Sequence, residues 1–86
     1  MNKLNASKMI KGYAELKLGM DKKDVLELFG EPTGTRLRDG IETLTWKHSE
    51  WKGLFRGGNV TRTITVDFER GKLTGYDSEN MDRSRF

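Results

Sequence analysis

The chain has 86 residues, 34% hydrophobic and 34% charged, with ten Gly, one Pro and no Cys, and a formal charge of +3. A length this small buries only about 60–65% of the unfolded surface, so one domain spanning residues 1–86 with one core is expected. The lack of Cys excludes disulfide scaffolds, thiol nucleophiles and acylated Cys, and no apolar run approaches the roughly 20 residues of a membrane span.

The start, Met1-Asn2-Lys3-Leu4, continues into Asn5, Ser7 and Lys8 rather than an apolar stretch. A cytoplasmic protein without a signal peptide or lipid anchor is the expectation. Lys3, Lys8, Lys11, Lys17, Lys22 and Lys23 crowd the first third, whereas Arg36, Arg38, Lys47, Lys52, Arg56 and Arg62 alternate with Glu31, Asp39, Glu42 and Glu50. Interspersed signs describe a solvated surface better than a phosphate-binding face, so nucleic acid is not the expected partner.

Ala6 to about Leu16 carries Met9, Ile10, Tyr13, Ala14 and Leu16 at helical spacing. Gly12 within it costs about 1 kcal/mol relative to Ala. Gly19 turns the chain towards a second helix, which Asp21 is placed to cap and Asp24 to favour through the helix dipole. Met20 and Val25 suit a hydrophobic staple, and Val25, Leu28 and Phe29 share one face. Gly30 ends this helix and Pro32 prevents its resumption.

From Thr35 the period becomes two. Asp39-Gly40 marks a two-residue hairpin, after which Leu44 and Trp46 point one way and Ile41, Thr43, Thr45 and Lys47 the other. Thr61–Glu69 alternates with Ile64, Val66 and Phe68 inward. Arg70-Gly71 turns the chain into Lys72–Tyr76, with Leu73 in the core and Tyr76 on the opposite, Thr-rich face. Residues 77–86 read as a polar, frayed tail. The fold class is therefore α+β: two N-terminal helices on one face of a three-stranded, or four-stranded, antiparallel sheet.

Leu18-Gly19-Met20-Asp21, then Val25, Leu28, Phe29, Gly30 and Pro32, a strand ending in Trp46, and Val66-Asp67-Phe68-Glu69-Arg70-Gly71-Lys72-Leu73 together resemble the SmpA/OmlA (BamE-like) domains. The resemblance spans about residues 8–76 and extends to the related β-lactamase-inhibitor-like domains. It implies two helices on a three-stranded sheet and a non-catalytic, protein-binding scaffold of a small bacterial or phage protein. BamE-type members carry a signal peptide and an acylated Cys, which this sequence lacks, so the envelope role is not carried over.

The chemistry-bearing residues point away from catalysis. His48 is the single histidine, without the partners of a zinc site, and Ser49 beside it has no oriented base. Gly57-Gly58-Asn59 lacks the Gly-Lys-Ser/Thr ending of a phosphate loop. The second helix, with Asp21, Asp24 and Glu27, would make a poor DNA-reading element. No enzyme activity, cofactor or metal is expected.

The segment 48–59 is long for a hairpin connection and holds Trp51, Leu54, Phe55 and Arg56, side chains of the kind that anchor interfaces. These four and Tyr76 are the expected contacts with an unidentified protein partner, which the domain would bind as an inhibitor or assembly factor. The alternative is a nucleic-acid-associated protein using Arg36, Arg38, Lys47 and Arg62, with Trp51 or Tyr76 as stacking platforms. Exposed strand edges leave homodimerisation open.

Overall fold

The computed structural model describes residues 4–51 and 59–80. Helices α1 (Ala6–Glu15) and α2 (Lys22–Phe29) precede strands β1 (Gly34–Arg38), β2 (Ile41–Trp51), β3 (Asn59–Glu69) and β4 (Lys72–Glu79). The strands form one antiparallel sheet in the order β1-β2-β3-β4. This is the expected α+β fold, in its four-stranded form.

Asn5 caps α1, its side-chain oxygen accepting from the Lys8 amide at 2.8 Å. Gly12 is buried where α1 crosses α2: a Cβ there would lie 2.6 Å from the Phe29 ring. The helix thus gives up about 1 kcal/mol of propensity for a close approach that only glycine permits.

Asp21 does occupy the N-cap position of α2, and its carbonyl accepts from Asp24 and Val25 at 3.0 and 3.2 Å. Its side chain, however, makes no cap bond. The carboxylate instead accepts from Lys72 Nζ. The cause is the path of β4, which begins alongside the turn between the helices. Gly19 N–H donates to Leu73 C=O at 2.7 Å, Leu73 N–H to Met20 C=O at 2.8 Å, and Lys22 N–H to Gly71 C=O at 3.2 Å. The carboxylate is ionised in either role, and the Lys72 ammonium adds an opposite full charge to the hydrogen bond that a neutral amide does not supply. Gly30, with φ at +83°, ends α2 as expected.

Both tight hairpins have positive φ at both loop residues, 52° and 80° at Asp39-Gly40 and 55° and 79° at Arg70-Gly71. That is the requirement of the turns whose twist matches paired strands. On the helix-bearing face Leu44, Trp46, Ile64, Val66, Phe68 and Leu73 bury against Met9, Leu16, Val25 and Phe29. Trp46 packs its ring 4.9 Å from Phe29 and donates its indole N–H to Gly30 C=O at 3.0 Å.

Strand reaches further than the connection and tail readings at two places. The β2–β3 ladder runs to Trp51 opposite Asn59, so both ends of the 48–59 connection belong to the sheet. Strand β4 continues to Glu79, taking up Asp77, Ser78 and Glu79 from the expected tail. Within β4, Phe68 pairs with Leu73 but Asp67 pairs with Gly75, which leaves Thr74 as an extra residue. A bulge of one residue reverses which face every following side chain takes.

Candidate functional site

Helices cover one face of the sheet; the other is presented to solvent. Its centre is a block of Thr43, Thr45, Thr63 and Thr65, placed by the strict alternation of β2 and β3. Thr43 donates its hydroxyl to Asp67 across the strands at 2.7 Å, and Ser49 and Thr61 share a hydroxyl contact of 2.7 Å.

Charges on this face are sorted by strand. Arg36 and Arg38 of β1 flank a depression of about 290 Å³ that also takes in Ile41, Thr43 and the carboxylates Asp39 and Asp67. Beyond the threonines, Asp67, Asp77 and Glu79 border another of about 380 Å³ with Thr63 and Thr65. Lys47, opposite Thr63, adds a positive charge on the β2 side. The strands therefore carry positive charge on β1 and β2 and negative charge on β3 and β4, with Asp39 and Asp67 bringing carboxylates to the basic side. Sequence reasoning misses this, because the Asp77 and Glu79 positions depend on the Thr74 bulge. Gly75, a glycine inside a strand pattern, is the one sequence signal of that bulge.

Tyr76 is not on this face. The bulge sets it opposite Val66, on the helix side, where its ring meets Tyr13 edge-on at 5.5 Å and its hydroxyl donates to Leu16 C=O at 3.5 Å. It keeps 39% of its surface exposed. Arg62 is also on the helix side, 3% exposed and opposite His48. It cannot join Arg36, Arg38 and Lys47 in a basic surface, and those three share their face with carboxylates. The geometry thus removes components of the nucleic-acid alternative. Trp51 closes the β2 ladder through its backbone; its side chain and the residues Leu54, Phe55 and Arg56 lie outside the described residues.

Among the described residues no group of His, Asp and Glu is placed to hold a metal ion, and no helix is long and apolar enough to cross a membrane. The surface is built of shallow depressions and hydroxyls, a form suited to contact.

No family model matches the chain, and no curated protein matches it in sequence; the SmpA/OmlA part of the resemblance is therefore not shown. Among solved structures it is similar to the crystal structure of a "putative beta-lactamase inhibitor protein" from Streptococcus mutans. Identity is 24%, the match covers 84% of this chain and 44% of that chain, and the TM-score is 0.55. The likeness is one of fold. This chain spans less than half the length of that neighbour.

Proposed function

We propose that this chain is a non-catalytic protein-binding module that meets its partner with the open sheet face, assisted by Trp51, Leu54, Phe55 and Arg56 of the β2–β3 connection. The observation that carries the reading is the sorting of charge on the face that the helices leave bare. A sheet face kept merely soluble needs only mixed charge; charge sorted by strand gives electrostatic complementarity, which fixes the orientation of a partner. Aromatic anchors add contact area with few rotors to immobilise. A small domain of this kind acts by occupying a surface of another protein, in the manner of an inhibitor or an assembly factor. The description of the fold neighbour as an inhibitor is in keeping with that.

Photo-crosslinking in the source cell tests the reading. A crosslinker at Thr63, mid-face, is expected to yield a defined protein adduct, whereas one at Lys11 on the helix side does not. The double substitution Trp51→Ala with Phe55→Ala is expected to lose that adduct while the thermal midpoint moves little. An adduct from Lys11 alone would place the interface on the helices and overturn the proposal.

A further inference from the structure

The two outer strands of the sheet differ in how their edges are closed. In a two-residue hairpin the residues beside the loop form a hydrogen-bonded pair, and bonded and non-bonded pairs alternate from there. For β1 the bonded pairs are Arg38–Ile41 and Arg36–Thr43. Thr35 and Leu37 accordingly turn their N–H and C=O groups to the open side. All of β1 is exposed, and Leu37 is 75% exposed although it sits on the helix-bearing side.

The same count from Arg70-Gly71 turns the Leu73 groups outward on β4, where Gly19 and Met20 take them. Past the bulge the outward positions are Tyr76 and Ser78. In keeping with this, the Ser78 N–H is held outside the ladder by the Asp77 carboxylate, at 2.8 Å.

We propose that β1 of one copy adds to the Tyr76–Glu79 edge of a second copy, continuing the sheet head to tail. Strands β1 and β4 run in opposite directions, so copies laid side by side in one orientation meet antiparallel. The hydrogen-bond phase of the two edges allows Leu37 to stand opposite Tyr76 and Thr35 opposite Ser78, one of the registers spaced two residues apart. That register satisfies both faces. On the helix side the exposed Leu37 covers the exposed part of the Tyr76 ring. On the open face Arg36 stands opposite Asp77 in a non-bonded pair, the arrangement with the closer side chains. Asp77 releases the Ser78 amide to the incoming strand and receives a guanidinium.

Pairing of β1 with a second β1 satisfies neither condition. Antiparallel pairing on Thr35 and Leu37 sets Arg36 against Arg36 or Arg38, and like charges directly opposite destabilise a ladder. The contact is heterologous, so each copy keeps one edge of each kind and growth continues beyond two. One short ladder is a small interface, and association is accordingly weak and steeply concentration-dependent. The contact shares Arg36 and Asp77 with the open face, but it is argued from the unpaired strand edges and stands whether or not that face also meets a protein partner.

The chain has no Cys, which makes disulfide trapping specific. Arg36→Cys and Asp77→Cys chains, mixed in equal amounts under mild oxidant, are expected to give the mixed dimer well above its statistical half of all dimers. A statistical mixture, or a dominant self-pair, would overturn the proposal. Charge exchange gives a second reading by sedimentation velocity. R36D/R38D and D77R/E79R chains are each expected to remain monomeric, and their equimolar mixture to associate as the wild type does. Failure of the mixture to associate, with circular dichroism and the urea midpoint of each variant unchanged, would overturn it. So would a wild-type chain that stays monomeric at about 1 mM, the weak end of ordinary association.

Discussion

Gly12 bears on stability in opposite directions at once. As a helix-interior glycine it should gain about 1 kcal/mol on replacement by Ala. Its Cβ would, however, stand 2.6 Å from Cε1 of Phe29, a ring buried to 1% exposure and packed on Trp46. Overpacking of this kind costs about 1–3 kcal/mol. Gly12→Ala is therefore expected to lower the urea midpoint, and adding Phe29→Leu to recover part of that loss. A midpoint that rises in the single variant would mean that α1 can lift from α2 freely. Composition alone reads Gly12 as a weak point in a helix. Only the crossing of the two helices turns it into a requirement, and nothing local in the sequence encodes that crossing.

The elements themselves were largely legible, for identifiable reasons. Gly30 with Pro32, and the Asp39-Gly40 and Arg70-Gly71 pairs, specify their conformations within a few residues, and the alternation of β2 and β3 specifies the core. Asp21 shows where such reasoning ends. Its position as N-cap is local, but its side chain answers to Lys72, distant in sequence and brought near by the pairing of β4 with the turn between the helices. The hydrogen bond from Lys72 to Asp21, and then the carboxylate's charge, raise the lysine above its ordinary value of 10.5. A group raised by folding contributes stability that is complete below its unfolded value and is lost as pH rises through its folded value. The wild type should thus lose stability above pH 10.5 more steeply than Lys72→Met does. The difference will be small, since both partners are more than half exposed and solvent screens them. Urea titrations of the two chains between neutral pH and pH 12 measure it; parallel curves would mean that the pair is not maintained in solution. Tyr76 is the other misplacement, and its cause is equally non-local: one extra residue, Thr74, reverses the face.

At the scale of the whole molecule, protection from solvent is unevenly spread. Strands β2 and β3 carry half of the buried core among the described residues, whereas β1 is exposed throughout and pairs on one side only. Amide exchange should therefore be slowest at Leu44, Trp46, Ile64 and Val66 and fastest in β1. Within β1 the rates should alternate, with Thr35 and Leu37 quicker than Arg36 and Arg38, because only the latter amides face β2. Uniform rates along β1 in dilute solution would contradict the register. The clasp between the helix turn and Leu73 has a consequence for synthesis. Ribosomes deliver the helices first, but apart from the contact of Gly12 with Phe29 their apolar faces lack the sheet to bury against until the central strands follow. The turn that joins them is tied down only when Leu73 has been made, well after both helices. A chain truncated before residue 73 is accordingly expected to leave both helices accessible to proteases, and one extended through β4 to protect them.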